Sequence, residues 1–298
     1  MDSSGLDLAR ARILVTNDDG ISAPGLKVLE RIARACSKDV WVVAPHSEQS
    51  AASHSLTLRR PLRVREISRR RFSVDGTPTD CVLVAQRKIL AERTADIVLS
   101  GINQGANLGE DVSYSGTVAA AKEGASLGVP AVAFSQVRTS AGDLHWETAE
   151  RFGVEVLRMV ATFAWRKGLL INVNFPPIPC AAVTGVRVCD QGQRDATVEL
   201  VDYVDPKGQP FIWIGDFTND QSTHHGSDLA AIESGAVAVT PLHLDMTHRP
   251  SLKPLRIPRL TPGVRPKSSA LTISRKVGPG TLLCGIVLGI GRTPRVRS

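Results

Sequence analysis

No run of about 18 consecutive apolar residues occurs in this 298-residue chain, so a membrane-spanning helix is not expected. Residues 1–12, MDSSGLDLARAR, lack the apolar stretch of a secretory signal. Residues 1–11 read as a flexible leader, and the expected location is the cytoplasm. The five cysteines are odd in number, scattered and without a Cys-x-x-Cys pair. That excludes a zinc knuckle and fits reduced thiols better than a disulfide scaffold.

Acidic residues are missing from one region. From Ser251 to Ser298 there are ten Lys or Arg and no Asp or Glu. Removing those ten from the formal net charge of +7 leaves residues 1–250 at −3. The excess positive charge therefore belongs to the tail. Residues 250–298, basic and rich in proline, are expected to be poorly ordered. Ten unopposed cations are also the basis of a rival reading, a nucleic-acid-binding protein working through the tail. The tail lacks interleaved aromatic residues, and the rest of the chain is net negative.

Several catalytic signatures are absent as well. There is no Walker A loop, no Gly-x-Gly-x-x-Gly fingerprint, no Cys-x5-Arg and no Gly-x-Ser-x-Gly. What the chain does have is alternation. Apolar runs at Arg12–Thr16, Val40–Ala44, Ile97–Leu99, Val129–Phe134 and Leu169–Val173 read as strands. Between them lie helical patterns, including Pro24 onward, Thr79–Leu90, Gly116–Leu127 and Trp146–Ala164. This series predicts an α/β fold with a mainly parallel, Rossmann-like sheet covered by helices on both faces. Shorter strands are expected at Leu56–Leu58, Leu62–Val64 and Phe72–Val74. Gly76-Thr77-Pro78-Thr79-Asp80 predicts a capping box. Beyond Pro177 the rhythm changes to strands without helices, at Val183–Val188, Val198–Val204 and Phe211–Ile214.

The chemistry is expected in the loops that leave the buried strands. Asn17-Asp18-Asp19-Gly20 follows the first strand, and its two adjacent carboxylates suggest a hard-metal site. The same residues also suit a plain turn. With Ser50 and Asn103 from neighbouring loops they make an all-oxygen set, suited to Mg²⁺, Mn²⁺ or Ca²⁺ rather than zinc or copper. The glycine-rich segment from Gly101 to Thr117 ends in Ser113, Ser115, Gly116 and Thr117 at a helix start, where backbone N–H groups and hydroxyls cradle phosphate. A phosphoester held against a metal, with no evident nucleophile, leads to attack by water. His224 and Asp228 are candidate accessory groups, although adjacent histidines in a polar loop are more often solvated.

The segments TNDDG, VVAPHSEQSAASHSLTL, GTPTDC, SGINQGANLGEDVSYSGTVAAAKEG, INVNFP and TPLHLD follow one another in a recognisable order. Together they resemble the SurE family, survival-protein phosphatases known as 5′-nucleotidases, over about Arg12 to Thr247. The resemblance implies metal ligands at Asp18, Asp19, Ser50 and Asn103, with Asp18 and Asp19 catalytic. It also implies phosphate handling by Asn17, Gly101 and the loop Ser113–Thr117, with Asn107 as a further accessory residue. One divalent ion per subunit, Mg²⁺ or Mn²⁺ with Ca²⁺ able to occupy the site, is implied too. So is hydrolysis of nucleoside monophosphates, in some family members also 3′-nucleotides and short polyphosphate. Residues 12–249 would form the phosphatase domain. Within it, about 180–225 would be an extended region exchanged between subunits, giving a homodimer or tetramer. A non-hydrolysing nucleotide sensor remains a rival. The family's usual Gly-Tyr is replaced here by Gly235-Ala236.

Overall fold

The structure, a computed structural model, describes residues 5–193, 197–218 and 225–255. In chain order the elements begin with β1 (Arg12–Thr16), α1 (Pro24–Arg34), β2 (Asp39–Pro45), β3 (Val64–Ser68), β4 (Arg71–Val74) and α2 (Pro78–Val84). Next come β5 (Ile97–Gln104), α3 (Asp111–Tyr114), α4 (Gly116–Ser126), β6 (Ala131–Gln136), α5 (Trp146–Ala161) and β7 (Leu169–Phe175). The series closes with β8 (Gly185–Val188), β9 (Thr197–Val204), β10 (Pro210–Thr218), α6 (Asp228–Glu233), β11 (Ala236–His243) and α7 (Arg249–Leu255). The last helix belongs to a separate unit that starts at Thr247. The remainder of the expected tail, 256–298, lies outside the described residues.

Nine strands form one sheet in the order β3-β4-β2-β1-β5-β6-β7-β11-β8. The central strands β4, β2, β1, β5, β6 and β7 run parallel, β3 pairs antiparallel with β4, and β11 antiparallel with β7. Strands buried on both faces have no room for polar alternation, and β1 places Ile13, Leu14 and Val15 wholly inside. Ile13 and Val15 face Leu26, Leu29 and Ile32 of α1 and Leu157 of α5. Leu14 faces the other way, with Val82 of α2 and Val118 and Ala121 of α4. The result is a three-layer α/β domain, as the alternation predicts.

Local signals account for the helix starts. Thr77 Oγ1 accepts from Asp80 N at 3.1 Å, and Thr77 N donates to Asp80 Oδ2 at 2.9 Å, completing the capping box. The helix then widens into a π turn over Ala85–Ile89. Pro24 opens α1 without a side-chain cap.

Three expectations change. Leu56–Leu58 forms no strand, because Thr57 N is taken by the Asp80 side chain at 3.0 Å instead of a neighbouring strand. Residues 5–11, read as part of a loose leader, are tied to the core. Leu6 N donates to Ala161 O at 2.7 Å, and Leu6 and Leu8 pack on the α1/α5 face. Finally β5 continues to Gln104 instead of ending at Leu99, since an irregularity between Ser100 and Asn103 lets it keep pairing with β6. Within the extended region, β8 joins the main sheet, whereas β9 and β10 form a two-stranded antiparallel ribbon of their own.

Candidate active site

The chain passes from β1 to β2 on one side and reaches β5 on the other side of β1. Reversals of this kind open a crevice at the carboxyl ends of the strands. Asn17, Asp18 and Asp19 leave β1 there. Asn17 is fully buried, and its Nδ2 donates to Gly20 O at 3.0 Å, fixing the turn. Asp18 is 5% exposed, and its carbonyl accepts from Gln49 N at 2.8 Å, which draws in the loop after β2.

The Asp18 carboxylate lies against the start of α4. Thr117 donates its hydroxyl to Asp18 Oδ1, and the Thr117 amide also bonds the carboxylate. The approach is possible only because residue 116 is glycine: a Cβ there would stand 2.8 Å from Asp18 Cβ and 2.9 Å from Oδ2. Ser115 caps the helix, its Oγ accepting from Val118 N at 3.0 Å.

Asp19 stands beside the far end of β5. The Gln104 amide bonds its carboxylate, while its Oδ2 is buried without a hydrogen-bond partner. Burial raises the Asp18 carboxyl above the ordinary carboxylate value, against the pull of the Thr117 bonds. Burial first, and then the charge of Asp18, lifts Asp19 to about 6; Gln104 and Arg138 oppose the rise and Glu48 adds to it. Glu48 belongs to the loop after β2 and accepts the Ser50 hydroxyl at 2.7 Å. Gly101, at φ +128°, lets β5 bend past β6, where a Cβ would meet Phe134 O at 2.3 Å.

A cleft of about 580 Å³ opens over these groups. Asp18, Ser50, Asn103, Asn107, Ser115, Gly116 and Arg138 are among the residues lining it. Asn103 Nδ2 donates to Gly105 O at 3.1 Å, leaving its amide oxygen as the donor atom for a cation. Asp18 and Ser50, from the loops after β1 and β2, and Asn103, near the end of β5, thus line one cleft.

The remaining candidates divide. Thr117 reaches the site but gives its hydroxyl to Asp18, so it holds a carboxylate where phosphate was expected. Gly101 and Ser113 are absent from the cleft lining; Ser113 accepts the Ser53 hydroxyl through its carbonyl at 2.9 Å. Asn107, expected as an accessory residue, lines the cleft and also clasps its loop to the sheet. Its N donates to Asn174 Oδ1 at 2.8 Å, its Nδ2 to Ser135 Oγ at 2.7 Å, and its carbonyl accepts from Asn172 and Asn174. Asp228 is wholly buried and accepts from Gly109 N at 3.0 Å and Gly192 N at 2.9 Å, holding the glycine-rich loop from behind. His224 lies outside the described residues. Sequence reasoning missed Glu48, Gln104 and Arg138, which carry no motif of their own.

The donor chemistry fits a hard cation. Two adjacent desolvated carboxylates, one with an orphaned oxygen, are costly to keep ionised together unless a positive charge joins them. Among the described residues no group of three or more His, Cys, Asp or Glu forms a metal cluster. Ser50 and Asn103, which line the same cleft as Asp18, offer neutral oxygens of the kind a hard cation takes.

The family described as Survival protein SurE matches residues 13–198, a span that contains all four of these oxygen donors. The chain belongs to the SurE family. A 5′-nucleotidase SurE of Paramagnetospirillum magneticum is 53% identical over 249 residues, covering 84% of this chain and 96% of that protein. The 5′-nucleotidase SurE of Parvibaculum lavamentivorans is 47% identical over 268 residues, covering 89% and 96%. The crystal structure of the SurE protein from Aquifex aeolicus superposes with a TM-score of 0.73 at 39% identity, covering 82% of this chain and 97% of that one. Among the described residues, no helix is long and apolar enough to cross a membrane.

Proposed function

We propose that this chain is a divalent-metal-dependent 5′-nucleotidase, releasing phosphate from nucleoside 5′-monophosphates by attack of water. The observation that carries this reading is the pair of adjacent, desolvated carboxylates Asp18 and Asp19, with Asp18 lining the cleft together with Ser50 and Asn103. Those four residues would hold one Mg²⁺ or Mn²⁺, with Ca²⁺ an alternative occupant. When bound, such an ion makes water nucleophilic near neutral pH and neutralises charge on the phosphoryl group.

The chain's own groups do the rest. Thr117 holds the Asp18 carboxylate by two hydrogen bonds that partly offset the cost of its burial, and Asp19 orients water next to the phosphorus. Ser115 and Gly116, at the wall of the cleft, face the phosphoryl oxygens at a helix N-terminus. Asn17 fixes the turn that carries Asp18, and Gly101 lets β5 bend toward the cleft, while Asn107 and Asp228 hold the loop that follows Asn103. The relatives' names support the nucleoside 5′-monophosphate as substrate. Activity on 3′-monophosphates and short polyphosphate, and a cytoplasmic location, belong to the same reading.

A homo-oligomer is part of the proposal. A two-stranded ribbon is marginal alone, and β9–β10 exposes Leu200, Tyr203 and Val204 together with Ile212, Trp213 and Ile214. Apolar side chains on both faces of one ribbon call for a second copy of the chain to cover them.

Purified protein is expected to release phosphate from AMP or GMP with Mg²⁺ or Mn²⁺ and to lose this activity in EDTA. Asp18→Asn is expected to lower turnover by about a hundredfold or more while the fold survives. Full activity after exhaustive chelation, or in Asp18→Asn, would rule the reading out.

A further inference from the structure

We infer that Arg138 is the substrate-positioning residue of the cleft, taking the phosphoryl group of a dianionic phosphomonoester through its free guanidinium edge; this rests on the nucleotidase reading.

The charges around the cleft pose a problem for an anionic substrate. Asp18 and Asp111 line it, and the charges of Asp19 and Glu48 are close enough to Asp18 to couple with it. A cation held by Asp18 and Asp19 would be offset by those same two carboxylates, leaving little attraction for an incoming dianion. Arg138 is the sole basic side chain among the described lining residues.

Its placement is specific. Arg138 follows β6 at the carboxyl edge of the sheet, and its Nε donates to Gln104 O at 3.0 Å. Gln104 gives its amide to Asp19, so one residue of β5 holds the carboxylate by its N–H and the guanidinium by its carbonyl. The other anchor is Nη1, which donates to Gly142 O at 3.2 Å. That carbonyl belongs to a small closed loop: Gly142 N donates to Thr139 O, Thr139 N to Asp143 O, and Asp143 N to Thr139 Oγ1, each at 2.9 Å. Nη2 donates to nothing among the described residues, and Arg138 has no ion pair with a carboxylate among them. Arginine is suited to this task because two of its nitrogens can be anchored while donors and charge remain for phosphate oxygens. The Coulomb effect of Arg138 already reaches Asp19, where it lowers the carboxyl against burial.

The test compares Arg138→Ala and Arg138→Lys with the unmodified protein, in full chains and with saturating Mg²⁺. For Arg138→Ala, KM for AMP is expected to rise about tenfold or more, with kcat within about threefold of the unmodified protein. The dissociation constant for inorganic phosphate, measured by calorimetry, should rise in parallel. Arg138→Lys should recover part of both, and Mn²⁺ affinity by direct titration should stay within about twofold. Unchanged KM and phosphate affinity in Arg138→Ala would overturn the assignment, as would a loss confined to kcat or to Mn²⁺ binding. Calorimetry separates this from the parent reading. If the unmodified protein hydrolyses no nucleotide yet loses phosphate affinity on Arg138→Ala, the nucleotidase reading fails and Arg138 stands as an anion site. If the unmodified protein is active and Arg138→Ala matches it in every parameter, the arginine assignment alone fails.

Discussion

Thr117 gives both its hydroxyl and its backbone N–H to the carboxylate of Asp18, so the first turn of α4 is occupied by the protein's own anion. A helix N-terminus favours negative charge, and here it works against the burial that raises the Asp18 carboxyl above its ordinary value. In the proposed nucleotidase reading, the phosphate would then meet the neighbouring positions Ser115 and Gly116, which line the cleft.

Replacing Thr117 by Val keeps the shape and removes the hydroxyl. A hydrogen bond to a charged group contributes about 1.5–3 kcal/mol, and urea denaturation at neutral pH should show a loss of that size. Thr117→Ser should restore most of it. A Val variant as stable and as active as the original would mean that the amide alone holds Asp18.

Gly116→Ala tests the packing of helix against carboxylate. Alanine favours a helix, yet its Cβ would intrude to 2.8 Å from Asp18 Cβ. Overpacking costs about 1–3 kcal/mol, and the displaced carboxylate should weaken Mn²⁺ binding by about tenfold or more. Calorimetric titration with Mn²⁺ reads the second effect directly. A more stable variant with intact metal affinity would contradict the geometry.

Asp19 sets a pH dependence. Its carboxyl is raised from 3.8 to about 6, so the metal-free fold binds this proton more tightly than the unfolded chain does. The contribution of Asp19 to stability is therefore favourable at low pH and is lost as pH rises from about 3.8 to about 6. A bound cation reverses this by favouring the ionised form. Differential scanning fluorimetry should show a small Mg²⁺ or Mn²⁺ shift in Tm at pH 5 and a larger one at pH 7. A shift that is constant across this range would exclude Asp19 as a ligand.

The apolar ribbon makes a prediction about assembly. Tyr203 and Phe211 stack at 5.6 Å, and Trp213 lies on the same side, 62% exposed. Trp213→Asp should shift the protein to a smaller species in light scattering, because a carboxylate is costly to bury in an apolar contact. An unchanged mass would place the subunit contact elsewhere.

Much of the site was legible because it follows from strand order. Continuous apolar runs marked β1, β2 and β5, and the polar residues directly after them had to share an edge once the sheet was parallel. Asp18, Ser50 and Asn103 could be grouped on that ground, and the family resemblance added the same residues. Arg138 could not be found this way, since a single arginine in a loop has no period and its meaning comes from the Gln104 carbonyl. Thr117 was legible as a residue of the site but not in its role, which depends on an approach that only Gly116 permits. The leader was misread because burial of Leu6 and Leu8 depends on α5, about 150 residues away in the sequence. Leu56–Leu58 had strand composition, but the Asp80 side chain competed for its backbone.

Asn107 ties the glycine-rich loop to β7 through three hydrogen bonds, one with Asn172 and two with Asn174, and to β6 through Ser135, all of them buried. Loops at the mouth of a cleft ordinarily open many times for each opening of the sheet beneath them. This one is fastened at its middle to a central strand, so its amide hydrogens around Asn107 should exchange with deuterium as slowly as those of β7. That wall of the cleft then keeps time with the core of the sheet.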